Sequence, residues 1–152
     1  MGTIDAIDRA ILALVQVNNQ RTHHEIGEAV GLSASSVRRR LKALRARGII
    51  EADVSILAPR AAGIQVVVTV SFGRESVEGD EAFRERIRAA PEVSQCYAIS
   101  GDVDYVLIVH APDLASYEAW GKRVLMADPT IRRYDTRVVW SRVKFETALP
   151  LV

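Results

Sequence analysis

Residues 33–48 hold Arg38, Arg39, Arg40, Lys42, Arg45 and Arg47 and no acidic residue. The whole chain carries a net charge of only +1, so this concentration is local. Residues 1–60 hold 9 Lys/Arg against 6 Asp/Glu, and residues 61–152 hold 11 against 13. A cationic patch in a near-neutral protein points to a localised polyanion contact. Arginine grips guanine with two hydrogen bonds, and serine can contact either a base or a phosphate. At about 100° per residue, Val37, Leu41 and Leu44 share one helix face. Ser35, Arg39, Lys42 and Ala46 point the opposite way, with Arg38 on the flank. The plainer alternative is a solvated surface helix. Three successive arginines with no acid four residues away gain no helical ion pair, which favours DNA. Ser35, Ser36, Arg38, Arg39 and Lys42 are the candidate DNA contacts, on the first turns where reading helices meet bases.

A second group is Gly101-Asp102-Val103-Asp104-Tyr105. Its two carboxylates stand two apart at the start of a strand and so face one side. Three roles are open from spacing alone. A metal would need further ligands, and no His or additional acid lies nearby in sequence. Gly-Asp is ordinary turn chemistry, with Asp102 capping its own turn. A small polar ligand with an ammonium group would be drawn to the carboxylates, and Gly101 would leave the backbone approachable.

Enzymatic signals are weak. There is no Gly-rich phosphate loop, no Gly-x-Ser-x-Gly and no Cys with a plausible His partner. His23 and His24 are adjacent, point apart and read as exposed helix residues. His110 ends a strand and reads as a satisfied edge histidine. Cys96 is expected to be buried. Trp120 and Trp140 read as packing or interface residues. No cofactor is expected.

These residues need elements to hold them. Ile7, Ile11, Leu14 and Val15 form one helical stripe. Thr22-His23-His24-Glu25 is a capping box that opens a second helix, with Ile26, Ala29 and Val30 on its apolar face. Gly31 ends that helix, Ser33 caps the basic one, and Gly48 closes it. The two helices and their tight turn form a helix-turn-helix. Ile49–Leu57 is extended, and Pro59 and Gly63 follow; residues 51–63 read as a connecting strand or linker. Ile64–Phe72 alternates as a half-buried strand. A helix around Phe83, Ile87 and Ala90 stops before Pro91. Strands follow at Val93–Ile99 and Val103–Val109, then a helix from Asp113 to near Pro129, then a strand from Ile131 to Phe145. The order βαββαβ is the ferredoxin-like pattern. Two helices cover one face of such a sheet, so Val67, Val106 and Ile108 are expected on a second face that meets a partner copy.

The 152 residues are 49% hydrophobic and 26% charged, which suits one globular domain or two small ones and excludes a disordered chain. No apolar run approaches the roughly 18 residues of a membrane span. Residues 1–8 carry two acids and no basic segment, and a single cysteine makes no internal disulfide, so the expected compartment is the cytoplasm.

The chain resembles the leucine-responsive/asparagine-responsive (Lrp/AsnC) family of feast/famine regulators over nearly its whole length. The matching stretches are Ile7–Leu12, Val30-Gly31-Leu32-Ser33-Ala34-Ser35-Ser36-Val37, Arg40–Leu44 running to Gly48-Ile49-Ile50, Ser100–Tyr105 and Thr136–Val139. Each is modest alone, and their order and spacing together are specific. The resemblance implies an α+β chain with an N-terminal winged helix-turn-helix and a C-terminal ferredoxin-like effector domain. It further implies a homodimer formed through the sheet, tetramers of dimers (an octamer), and effectors, often amino acids, bound between dimers near the Gly-Asp-x-Asp loop. It raises the ligand role of Gly101, Asp102 and Asp104 above the turn role. Val103 stands where an aromatic is frequent, Arg45 replaces a usual Glu, and Gly27 weakens the second helix by roughly 1 kcal/mol relative to Ala.

The expected organisation is a DNA-binding domain at 1–50, a linker at 51–63 and a ligand-sensing, oligomerising domain at 64–152. The expected function is a sequence-specific regulator that binds double-stranded DNA and responds to a small molecule, an amino acid by preference. The expected effector contacts are Gly101, Asp102, Asp104 and Tyr105, with Thr136 supplied by a neighbouring subunit. Two alternatives remain: an architectural DNA-binding protein without an effector, and a ferredoxin-like metabolite-binding protein or enzyme.

Overall fold

The computed structural model describes residues 4–58, 61–73 and 77–151. Pro59 of the expected linker, and the ends of the first and last expected domains, lie outside these residues. The chain forms two compact units. One runs to Ile56 and also takes in the segment from Val143, and the other is Leu57–Arg142.

The first unit is three helices: α1 (Ala6–Val15), α2 (His23–Val30) and α3 (Ala34–Ala46). Asp5 caps α1, its carboxylate accepting the Asp8 N–H at 2.7 Å. The capping box forms as the sequence predicts. Thr22 Oγ1 accepts from the Glu25 N–H, and the Glu25 carboxylate accepts from the Thr22 N–H at 2.6 Å. Ser33 caps α3 by accepting the Ser36 N–H. Gly48 closes α3 in a Schellman motif: its N–H reaches the Arg45 carbonyl, and the Ile49 N–H reaches Leu44.

The turn between α2 and α3 depends on two glycines. Gly31 has φ 71°, a left-handed conformation that reverses the chain after α2. Gly27 is buried inside α2, and a Cβ there would stand 2.4 Å from the Leu32 carbonyl oxygen. The helical cost expected for Gly27 therefore has a structural reason: the turn folds back onto the glycine, and the Leu32 N–H donates to the Gly27 carbonyl at 2.9 Å. Gly27 takes the buried place expected for Ala29, which is exposed. Ile11, Ile26, Val37 and Leu41 form the core, with Ile7, Leu14, Val15, Val30, Leu32 and Ile50 packed around it.

Residues 51–58 form no strand. Of the connecting strand or linker expected at 51–63, the described residues 51–58 are a linker. Within it Asp53 accepts two bonds from Arg45, at 2.8 and 3.2 Å.

The second unit is β1 (Ile64–Phe72), α4 (Val77–Arg88), β2 (Val93–Ala98), β3 (Tyr105–Ala111), α5 (Leu114–Gly121), a π-helical turn at Lys122–Met126, and β4 (Ile131–Val138). The sheet order is β2-β3-β1-β4 and all pairings are antiparallel, the ferredoxin-like arrangement. Val66, Val68 and Val70 of β1 and Tyr105, Leu107 and Val109 of β3 turn to a core completed by Phe83, Ile87, Tyr117, Trp120, Val124 and Leu125. Val67, Val106 and Ile108 alternate onto the other face, where each is partly exposed.

Three expectations change. β4 stops at Val138 rather than Phe145, because β1 begins at Ile64 and the last ladder bond is Val139 N–H to Gln65. Beyond it Trp140 is 96% exposed. The segment from Val143, expected with the sheet, joins the first unit. The Gln16 side chain donates to the Leu149 carbonyl at 3.1 Å and accepts its N–H at 2.9 Å, as a neighbouring strand would. Cys96 is exposed rather than buried, because β2 is an edge strand.

Gly27→Ala separates helix propensity from the turn. Alanine favours a helix by about 1 kcal/mol. The clash with the Leu32 carbonyl opposes it by about 1–3 kcal/mol. A lower melting temperature by calorimetry is expected, and an equal or higher one would contradict this account of the turn.

Candidate functional site

Of the six cations on and just after α3, three are held by the protein and sit apart from the outward stripe, or are engaged elsewhere. The Arg40 guanidinium donates to Asp5 Oδ2 and Asp8 Oδ1, each at 2.7 Å. Arg45 is paired with Asp53, and Arg47 also has an interaction within the chain. Arg38, Arg39 and Lys42 are exposed and form no ion pair among the described residues. With Ser35 they occupy i, i+3, i+4 and i+7, one continuous outward stripe opposite Val37, Leu41 and Leu44. Ser35 Oγ stands 3.0 Å from Ser33 Oγ. Ser36 is half-buried, and its hydroxyl accepts from Ser33 at 3.0 Å, so it lies at the base of the stripe. The arrangement offers two forked donors and one point charge, unneutralised, on a helix held by its opposite face.

The Asp8 N–H and then the Arg40 guanidinium hold the Asp5 carboxyl below its ordinary range. Bonds to Asp5 and Asp8 push Arg40 up. The sequence places Arg40 in a run with Arg38 and Arg39 and gives no sign that it turns inward, because its partners lie more than thirty residues earlier.

The Gly101–Asp104 segment joins β2 to β3. Gly101 has φ 126°, and no atom lies within 4 Å of where its Cβ would be, so the backbone there faces open space. Asp102 is exposed, and its carboxylate accepts no hydrogen bond among the described residues. Its backbone carbonyl receives the Ser71 hydroxyl at 3.4 Å. The Asp104 carboxylate instead holds a neighbouring strand: its Oδ2 accepts the Phe72 N–H at 2.7 Å where β1 shifts register. The Asp104 N–H also donates to Val70.

Tyr105 is a core residue, 3% exposed, packed against Phe72 and Phe83. Its hydroxyl donates to Asp80, which is also paired with Arg84 at 2.6 Å, and the Arg84 guanidinium lies over the Tyr105 ring. Asp80 and Arg84 are absent from the sequence reading, although their i, i+4 spacing on α4 is the signal that could have found them. Thr136 is on the helix-covered side of β4, where its hydroxyl meets that of Tyr117 at 2.6 Å. Tyr105 and Thr136 thus already have partners inside the unit, whereas Gly101 and Asp102 face solvent. His23 and His24 are exposed, as expected. His110 bonds Ser94 through Nε2, but its buried Nδ1 has no partner, so it is only half satisfied. No group of three metal-ligating side chains occurs among the described residues. No helix among them is long and apolar enough to cross a membrane.

Burial, and then the bond to Asp80, pushes the Tyr105 phenol up to about 12. The unfolded chain gives up this proton first, near pH 10, so stability falls as pH rises from about 10 to about 12. Tyr105→Phe should lose less of its neutral-pH stability across that window in denaturant titrations. The same slope in both proteins would contradict the assigned environment.

Two family models match the chain: the AsnC-type helix-turn-helix domain over residues 4–45 and the Lrp/AsnC ligand-binding domain over residues 65–149. An uncharacterised HTH-type transcriptional regulator of Sinorhizobium fredii is 41% identical over 97% of this chain and 89% of its own. The leucine-responsive regulatory protein of Escherichia coli is 29% identical over 93% of this chain and 87% of its own. Among solved structures, a transcriptional regulator of Neisseria meningitidis in complex with L-methionine superposes with a TM-score of 0.89 at 31% identity, covering 97% of both chains. An AsnC-family regulator of Agrobacterium tumefaciens gives 0.87 at 32% identity over 96% of both. The relatives are transcriptional regulators rather than enzymes, and the stripe on α3 and the βαββαβ unit fall within the two matched domains: this chain belongs to the Lrp/AsnC family of transcriptional regulators.

Proposed function

We propose that the outward stripe of α3 reads DNA in the major groove and that the Gly101–Asp104 loop receives an amino acid. The observation that carries the first part is the unpaired state of Arg38, Arg39 and Lys42 beside three arginines that are engaged. Leaving three adjacent cations unneutralised on one helix face costs self-repulsion, which phosphates and guanine edges would relieve. Arg38 and Arg39 supply the forks that suit guanine, Lys42 a point charge for phosphate, and Ser35 and Ser36 short polar contacts near the helix start. The protein acts in the cytoplasm as a homodimer, with the partly apolar sheet face of Val67, Val106 and Ile108 against its copy. Two reading helices then meet successive major grooves about 34 Å apart. Dimers assemble further, towards an octamer.

The loop reading rests on Asp102, an exposed carboxylate without a partner, beside the open backbone at Gly101. The carboxylate attracts an α-amino group, and turn N–H groups receive an α-carboxylate. Asp104 contributes through its second oxygen, and Thr136 of a neighbouring subunit completes the site. The Neisseria regulator's complex with L-methionine supports an amino acid as the ligand class. A ligand held between subunits binds the assembled form better than separated chains, so occupancy shifts assembly and DNA affinity together.

Arg39→Ala should lose about 1–3 kcal/mol of binding to a preferred duplex and relax its base preference. Lys42→Ala should weaken all duplexes alike and reduce the salt slope by about 0.9. Fluorescence anisotropy across a salt series distinguishes the two, and unchanged binding in both would remove α3 as the reading element. For the loop, calorimetry with the twenty amino acids should find a binder that Asp102→Ala weakens about tenfold or more, the scale of a bond to a charged group. Absence of any binder, or undiminished binding by Asp102→Ala, would remove the loop as the effector site.

A further inference from the structure

We propose that Asp5, Asp8 and Arg40 form a clamp that sets the roll of the reading helix, so that two acidic residues are required for sequence-specific DNA binding. The inference rests on α3 as the reading element.

The geometry is specific. Asp5 has two tasks: Oδ1 caps α1 by accepting the Asp8 N–H at 2.7 Å, and Oδ2 receives Arg40 at 2.7 Å. The same Arg40 Nη1 reaches Asp8 Oδ1 at 2.7 Å. The Asp8 side chain is 10% exposed and that of Arg40 27%, so this is not an open surface pair. The first turn of α1 is thus fastened to the middle of α3, directly after Arg39 in the chain. Apolar contacts do not supply the same constraint. Ile11, Val37 and Leu41 fix how closely the helices approach. Such contacts are non-directional and tolerate small rotations, whereas hydrogen-bonded charges do not.

The magnitude shows why roll matters. A side-chain tip about 6 Å from the helix axis moves about 2 Å when the helix rolls by about 20°. A forked arginine–guanine contact does not survive a displacement of that size. A phosphate contact does, because it depends on charge more than direction. Loosening the clamp therefore degrades discrimination before general affinity.

Simple charge counting gives the opposite expectation. Neutralising two acids on a DNA-binding unit removes repulsion from phosphate and frees one more arginine, so binding should tighten. The clamp makes the acids helpful, and the sign of the effect decides between the two.

The experiment uses the full chain with two probes: a duplex enriched by the wild-type protein from a random pool, and the unselected pool. Asp5→Asn keeps an N-cap oxygen and so preserves α1. Asp8→Asn and Arg40→Gln break the clamp from its other sides, and Arg40→Lys keeps the charge and one bond. Circular dichroism selects the variants that retain helix, and exposed Asp5→Asn alone decides should the others unfold. The clamp predicts that Asp5→Asn and Asp8→Asn lose about tenfold on the enriched duplex, the scale of one base contact, with the pool bound as well as before or better. Arg40→Lys should recover part of the loss seen in Arg40→Gln. Arg40→Gln with Asp8→Asn should be no worse than Arg40→Gln alone. Equal or tighter binding of the enriched duplex by Asp5→Asn and Asp8→Asn would overturn the clamp. So would a drop of about 0.9 in the salt slope of Arg40→Gln on the pool, which would make Arg40 a phosphate contact. Arg39→Ala run alongside separates the two levels: unaltered enriched-duplex binding in that variant rejects α3 as the reader, whereas a loss there with none in the aspartate variants rejects the clamp alone.

Discussion

Burial of Val37 and Leu41 against Ile11 and Ile26, with Leu44 also buried, decides what α3 can show to its surroundings. A helix of this length buries one stripe, and the residues opposite that stripe point away from the core. Here Ser35, Arg39 and Lys42 lie opposite, with the exposed Arg38 on the flank. The charge that looks continuous along the sequence is divided by this constraint. Arg40, one step round from Arg39, is carried to the acids at the start of α1. Arg45 reaches the connecting segment. What remains outward is a narrow cationic band on a rigid element, which suits a groove better than a diffuse basic surface would.

The turn in front of α3 is subject to a similar constraint. The Leu32 carbonyl lies where any side chain on Gly27 would have to be. The short connection between α2 and α3 is possible because that side chain is missing. The sheet unit follows its own alternation. β1 sits between β3 and β4, and its valines turn alternately to the helices and away from them. The side away from the helices carries Val67, Val106 and Ile108, with Gln65, Thr69, Tyr97 and Arg137 interspersed. That face mixes apolar and polar side chains and is partly exposed. The chain enters this sheet at Ile64 and leaves it after Val138, on adjacent strands, so the connections at both ends of the unit leave from one end of the β1–β4 pair.

Local signals made much of this legible. The stripe on α1, the capping box at Thr22, the cap at Ser33 and the alternation in β1 each depend on residues within a turn or two, and each stands where the sequence places it. Long-range partners were not legible. Nothing near Arg40 announces Asp5 and Asp8, and nothing near Gln16 announces Leu149. Alternation continues past Val138 and predicts a longer last strand, while the strand's end is set by where β1 begins. The apolar character of cysteine predicts burial for Cys96, but the sheet order makes β2 an edge. In the loop, spacing gave Asp102 and Asp104 equal standing. The fold separates them, using Asp104 on the Phe72 N–H and leaving Asp102 open. Alternation along β3 turns Tyr105, next to the loop in sequence, into the core, where its hydroxyl donates to Asp80.

The proposed entry of α3 into the major groove, with its outward stripe against base edges and one such helix from each of two copies, is open to direct test. Protection of guanine N7 from methylation on an enriched duplex reports this directly, because N7 lies in the major groove. Two protected patches are expected, centred about 10 base pairs apart or a multiple of that spacing, with adenine N3 in the minor groove left open between them. Uniform protection without patches, or protection confined to the minor groove, would contradict it.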